Sequence, residues 1–367
     1  MGDVAPAAST AAVTPEHHRF EFTGSGGEYF RIWIVNIVLT VLTLGIYSAW
    51  AKVRTSRYFY GNTKLAGHAF DYHASPVRIL IGRLIAVGLL LGYSITVQIQ
   101  PLLGFAWTIV IMFATPWLVV SSLRFAARNS SYRNVRFNFT GTMGQAAWAY
   151  IAWPIFAILS LGTLVPLARR ARDYFFVNNH TFGGKPFHTQ FTGWSIYAIH
   201  LLGMAVGFGG LLVFGAVVGG AVVALGGSID PAAFKPGSGT QPPAFFFLIF
   251  ILAYLALLMF MTFVLQLIQT LVFNLVVSNT RLDGKHQLGA DLSAWDMTML
   301  VVGNLLLLLF TLGFYYPWAR VRIVRYQMEH MSLAATTGLD EFTSEAIATQ
   351  GAIGEEIAGF FDLGIGI

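Results

Sequence analysis

One stretch constrains this chain more than any other, because it occurs twice. TLGIYSAWAKVRTSRY, Thr43 to Tyr58, returns near the end as TLGFYYPWARVRIVRY, Thr311 to Tyr326. Each copy closes an apolar run, places aromatic residues where they suit a membrane headgroup level, and continues into a basic segment. A ruler laid on the first copy fits elsewhere. With Asn62, Asn129, Asn179 and Asn279 as anchors, the third residue on is Leu65, Tyr132, Phe182 or Leu282. The fifth on is Gly67, Asn134, Gly184 or Gly284, and the eighth is Phe70, Phe137, Phe187 or Gln287. Thirteen before the anchors stand Ala49, Pro116, Pro166 and Gln266. Phe-Thr-Gly recurs at Phe22, Phe139 and Phe191. Ungapped agreement at several offsets predicts an internal repeat, in five degenerate units over about 20–71, 72–138, 139–190, 191–289 and 290–333. Turn residues and alternating apolar positions after each anchor predict small β-hairpins.

Composition sets the class. With 56% hydrophobic and 11% charged residues, the chain reads as a polytopic membrane protein. Apolar runs at 32–50, 77–98, 102–123, 145–168, 194–225, 244–277 and 295–318 approach or exceed the ~20 residues that cross a bilayer core. The expected fold is therefore an all-α membrane bundle of about seven apolar segments, with β-hairpins on the cytoplasmic face. Residues 1–19 read as a disordered leader, 20–333 as the membrane domain and 334–367 as an acidic tail. Residues 1–18 are polar and small with no basic region before an apolar core, so no signal peptide is expected ahead of the first apolar run. The chain has no cysteine, which excludes disulfides, thiolate metal sites and cysteine nucleophiles.

Charge is lopsided. Up to Leu333 the chain carries 22 basic and 11 acidic side chains, a net +11, and the tail is −6. Lys52, Arg54, Arg57, Arg124, Arg169, Arg170, Arg172, Arg320 and Arg322 make a basic face, expected to lie at the cytoplasmic lipid headgroups. The loop GGSIDPAAFKPGSGTQPP reads as periplasmic and flexible. The runs in units one, three and five have basic clusters near both ends, which conflicts with one crossing each. Either the inside rule is broken there or these runs dip in and return, with the break at Asn36, Trp153-Pro154 and Gly303-Asn304.

FTGSGGEYFRIWIVNIVLTVLTLGIYSAWAKVRTSRYFYGNTKLAGHAFDYHASP resembles the opening of the YjgN family of bacterial inner-membrane proteins. The second TLG stretch and the ending GEEIAGFFDLGIGI are similar to it too. The resemblance covers about residues 20–367. It implies a multi-pass protein of the Gram-negative inner membrane, and brings neither an activity nor catalytic residues.

Candidate chemistry is sparse. No Asp or Glu lies well inside an apolar run, which counts against ion-coupled transport. Asn36, Thr40, Asn304 and His200 are the candidate polar lining, with interhelical hydrogen bonds as their plainer reading. Gly45, Gly67, Gly184, Gly284 and Gly313 are assigned to structural turns. Glycines between Gly203 and Gly220 suit close helix packing. No catalytic constellation, metal set or cofactor motif is found, so neither an enzyme, a metal nor a cofactor is expected. The expected partners are membrane lipids, anionic ones included, and not nucleic acid. By architecture alone the reading leans to a channel or facilitator for a small solute or lipid. The alternative is a non-transporting scaffold that binds anionic lipid or a cytoplasmic partner through basic hairpins.

Overall fold

The computed structural model describes residues 16–226, 244–336, 338 and 343–344. Strand β1 (Glu16–Phe22) leads into helices α1 (Gly26–Leu42) and α2 (Ser48–Asn62), then strands β2 (Thr63–Leu65) and β3 (His68–Tyr72). Next come α3 (Pro76–Ile99), α4 (Pro101–Arg128), β4 (Ser130–Tyr132) and β5 (Val135–Phe139). The third helix pair is α5 (Met143–Ala147), a π-helical turn over Trp148–Ala152, α6 (Trp153–Leu159) and the return helix α7 (Val165–Asn178). It leads to β6 (His180–Phe182) and β7 (Lys185–Thr189). The fourth is α8 (Gly193–Gly226) and α9 (Ala244–Ser278), with β8 (Thr280–Leu282) and β9 (His286–Ala290). The fifth is α10 (Ala294–Phe310) and α11 (Tyr316–Glu329), ending in β10 (Met331–Ala335).

The ten strands form one closed antiparallel barrel, β1-β10-β9-β8-β7-β6-β5-β4-β3-β2, with β2 back on β1. This overturns the all-α expectation. Each hairpin presents two unpaired edges, and closure satisfies all of them. The helices follow the same circuit, each packed on the next and α11 packed on α1. The fifth strand pair joins the first and last strands, with Glu16 opposite Ala335 and Arg19 opposite Ser332. Thus β1 begins inside the stretch read as a leader, and β10 runs past Leu333. The long unit-four loop and the acidic tail fall almost wholly outside the described residues.

Hairpin geometry follows from turn chemistry. Ala66-Gly67, Arg133-Asn134 and Gly183-Gly184 all hold positive φ at both positions, as a two-residue turn matched to strand twist requires. The β8–β9 turn, Asp283-Gly284-Lys285, is one residue longer. That moves the inward position from Gln287 to Leu288, while Gln287 binds Arg281 at 2.8 Å. Inside the barrel, Phe20 pairs with Leu65, Phe70 with Tyr132, Phe137 with Phe182, Phe187 with Leu282 and Leu288 with Leu333. These side chains fill the lumen and leave an apolar cavity of about 170 Å³. Each buried side chain of this size contributes roughly 1.5–3 kcal/mol. Tyr132 buries its hydroxyl by donating to the Leu65 carbonyl at 2.7 Å.

Among the described residues, four helical stretches are long and apolar enough to cross a membrane: Pro76–Ile99, Pro101–Arg128, Gly193–Ala221 and Phe247–Ser278. The other three apolar runs are not single helices, which corrects the count of seven. Each reverses at a tight turn: Thr43-Leu44-Gly45, Ser160-Leu161-Gly162 and Thr311-Leu312-Gly313. Leucine and glycine are both left-handed there, with φ of 50° and 93° in the first turn and 51° and 91° in the third. Thr43 Oγ1 donates to the Leu39 carbonyl at 2.7 Å and accepts from the Tyr47 amide at 2.9 Å. Thr311 repeats both bonds, and Ser160 repeats the second while donating three residues back, to the Ala157 carbonyl at 3.0 Å. The amide of Gly45 closes on Thr40 at 2.7 Å, and Gly162 and Gly313 do the same at 2.8 Å, a Schellman helix ending. The chain therefore turns back at Gly45, Gly162 and Gly313. It does not break at Asn36 or Asn304, which sit inside continuous helices. Hydropathy runs straight through such a turn because its leucine is apolar.

Helix packing is close where α8 meets α9: a Cβ added at Gly203 or Gly210 would overlap Ile268 or Phe260. Gly215, Gly219 and Gly220 face open space.

Candidate functional site

The level between the helix pairs and the barrel is held by contacts that recur around the circuit. The anchor side chain caps its helix by donating to the carbonyl four residues back, at 2.8, 2.7, 2.8 and 2.7 Å for Asn62, Asn129, Asn179 and Asn279. His330 takes the same place with Nδ1 2.8 Å from the Tyr326 carbonyl. Five residues before each anchor, a side chain reaches across to the segment that leads into the next helix pair. Arg124 donates to Gly141, Tyr174 to Phe191, Asn274 to Leu292 and Arg325 to Gly24, at 2.7–2.8 Å. Arg57 reaches Tyr72 at 3.3 Å. Three residue types do one job here, which is why sequence reading missed it. Phe-Thr-Gly is not in register throughout: Phe22 and Phe139 end strands, whereas Phe191 stands two residues past Thr189, the residue equivalent to them.

The expected site residues scatter. Asn36 and Thr40 lie on α1 and line an open groove of about 760 Å³ bounded by α1, α2, α3 and α11. Asn304 is 2% exposed and outside that groove. Its Oδ1 accepts from Arg322 at 3.1 Å, and Arg322 also donates to the Tyr315 hydroxyl at 3.1 Å. His200 bonds its own helix at the Ile196 carbonyl, 2.8 Å away. The turn glycines Gly45, Gly67, Gly184, Gly284 and Gly313 all have φ between 67° and 93°.

The basic residues divide by what they touch. Arg169 grips Asp173 with Nε 3.0 and 3.1 Å from the two carboxylate oxygens. Burial pushes the Asp173 carboxyl up, against the pull of Arg169. Arg170 donates to the Tyr174 hydroxyl at 3.1 Å and lies over its ring. Arg172 is half-buried and Arg54 is exposed. Lys52 and Arg320 point into the groove, joined there by Arg83, whose guanidinium donates to Ser48. Arg320 also stands 5.7 Å from the centre of the Phe59 ring. The groove wall adds Ser48, Thr55 and Ser56 hydroxyls, with Trp33, Ile37 and Val41 on its apolar side and no carboxylate. The signal for Arg83 was a cation set, after Arg78, inside the run at 77–98.

Nothing in this geometry assembles a nucleophile with a base. What it defines is a circuit of helix pairs standing on a closed barrel, with helices among the described residues long and apolar enough to cross a membrane and with Lys52 and Arg320 at the junction facing a groove that has no carboxylate. Residues 17–360 match the family described as "Bacterial protein of unknown function (DUF898)", and the chain belongs to that family. It is 32% identical over 148 residues to "Inner membrane protein YjgN" of Escherichia coli O157:H7, covering 40% of this chain and 37% of that one. It is 34% identical over 146 residues to the protein of the same name in Salmonella typhimurium, with the same coverage. The aligned part thus spans little more than a third of these relatives. No solved structure matches the chain.

Proposed function

We propose that this chain is a bacterial inner-membrane scaffold that binds anionic phospholipid at the junction between its helix pairs and its barrel. In this reading α3–α4 and α8–α9 cross the bilayer. The three TLG-type pairs enter from the barrel side and return, and the barrel faces the cytoplasm. The five helix-and-hairpin units descend from one repeated unit. Support for the topology comes from the tips: Leu44, Leu161 and Leu312 are 95%, 94% and 89% exposed, which water disfavours and lipid accepts.

One observation carries the lipid reading. Of the return-helix cations Lys52, Arg54, Arg57, Arg124, Arg169, Arg170, Arg172, Arg320 and Arg322, only Arg169 has a carboxylate partner among the described residues. Cations near a membrane surface attract anionic headgroups, at about 1 kcal/mol each. The channel reading lacks a matching feature among the described residues: the lumen is filled by Phe, Tyr and Leu, and Asn304 is buried outside the groove that Asn36 lines. The test is to purify the full chain in a non-ionic detergent and quantify the retained lipid. Phosphatidylglycerol and cardiolipin are expected to be enriched over their share of the source membrane, and retention in plain membrane proportions would defeat the reading.

A further inference from the structure

We infer that the groove between α1, α2, α3 and α11 is a discrete site for one phospholipid, whose phosphate is held by Lys52, Arg83 and Arg320. The inference rests on the lipid-binding reading above and gives it a place.

The argument begins with three equivalent positions. Counted from the turn glycines Gly45, Gly162 and Gly313, the seventh residue on is Lys52, Arg169 or Arg320. Four residues further, one helical turn on the same face, stand Ser56, Asp173 and Val324. In α7 the chain supplies its own anion, and the Arg169–Asp173 pair is closed at 3.0 Å. In α2 and α11 the acid is missing, and neither Lys52 nor Arg320 forms a hydrogen bond or ion pair among the described residues. Both cations face one groove, where Arg83 joins them from α3. Three cations lining one groove with no carboxylate repel one another until an anion enters, and in a membrane setting that repulsion is little screened.

The shape of the groove selects the kind of anion. Lys52 lies seven residues from the tip glycine, ~10 Å along the helix axis. Trp33, Ile37 and Val41 continue the wall toward the exposed Leu42 and Leu44. A phosphate at the cations therefore has an apolar track beside it on which an acyl chain can lie. Thr55, Ser56 and Ser48 offer hydroxyl donors to phosphate oxygens. Free phosphate would use the cations and leave the track empty, so the geometry favours the lipid.

The test uses the full chain in a neutral detergent, titrated with short-chain phosphatidylglycerol, short-chain phosphatidylcholine and inorganic phosphate, with binding read by native mass spectrometry. One phosphatidylglycerol is expected to bind at least tenfold more tightly than either alternative. Lys52→Gln with Arg320→Gln should weaken it about tenfold, and Lys64→Gln, on β2 and outside the groove, should leave it unchanged. Ser56→Asp supplies Lys52 with the acid that α7 already carries, so it keeps a pairing the fold tolerates and should also weaken binding several-fold. Undiminished binding in Ser56→Asp and in the double variant overturns the site. Equal binding of inorganic phosphate overturns the lipid assignment. If the site is overturned in that way, anionic lipid that still co-purifies in bulk with the double variant leaves the scaffold reading standing.

Discussion

Arg325 on α11 donates a hydrogen bond of 2.8 Å to the carbonyl oxygen of Gly24, across 301 positions of sequence. The bond closes the helix circuit just above the place where β1 meets β10. Arg325→Ala should lower stability by about 1 kcal/mol, the ordinary net value of such a bond. Tyr174→Phe should cost at least as much, because that hydroxyl both donates to the Phe191 carbonyl at 2.7 Å and accepts from the Phe191 amide at 2.8 Å. Thermal unfolding of the detergent-extracted chain measures both, and no change in either variant would remove the clasp from the account.

Membrane placement is testable with single cysteines, since the chain has none of its own. Placed at Ser25, Thr140, Ser228, Thr240, Ser293 and Ser332, only those at Ser228 and Thr240 should react with an impermeant thiol reagent in intact cells. Labelling at Ser25 with protection at Ser332 would mean that at least one TLG-type pair crosses.

The reversal at Gly313 needs φ of +91° in open space. Gly313→Val should therefore cost at least ~1 kcal/mol from backbone strain alone, with no clash to relieve. Melting of this variant at the wild-type temperature would show that the turn tolerates a side chain.

The barrel interior makes a graded prediction at Tyr132. Tyr132→Phe loses one buried hydrogen bond, about 1 kcal/mol. Tyr132→Ala opens a cavity among Phe70, Phe182 and Leu65, and by analogy with Phe→Ala should cost roughly 3–5 kcal/mol. Equal effects of the two changes would place the ring outside the core.

His286 on β9 is fully buried, and burial holds its imidazole below the ordinary histidine value, with Lys285 adding to the shift and Asp283 opposing it. The unfolded chain then takes up the proton more readily than the folded one. Stability is full above about pH 6.5 and falls as pH drops through that value toward the folded one. His286→Gln should flatten the melting temperature between pH 7.5 and 5.5. A slope as steep as in the unchanged chain would assign the loss to other groups, His180 among them, whose imidazole burial also pushes down.

Much of this fold could be read from spacing. The offsets of three and eight from the anchors are the inward positions of the barrel, as Leu65 and Phe70 show. Barrel closure could not be read, because no single hairpin carries a signal for its partner. Hydropathy misread the TLG turns, since Leu44, Leu161 and Leu312 look like any other membrane residue although their backbones are left-handed. At the groove, Asn36 and Thr40 were visible as polar residues in an apolar run. The absence of an acid at Ser56 had no meaning until Asp173 showed what that position can hold.

The pairing of β1 with β10 also sets a clock. At roughly 5–20 residues per second, a ribosome needs about 15–60 s to synthesise the 301 residues that separate the clasp partners Gly24 and Arg325. Throughout that interval β1 has β2 on one side and a bare edge on the other, and the newest strand is bare as well. An open sheet with two free edges invites pairing with a neighbouring nascent chain. Synthesis that stalls before α11 would therefore leave adhesive intermediates, and the final strand ends that exposure in a single step.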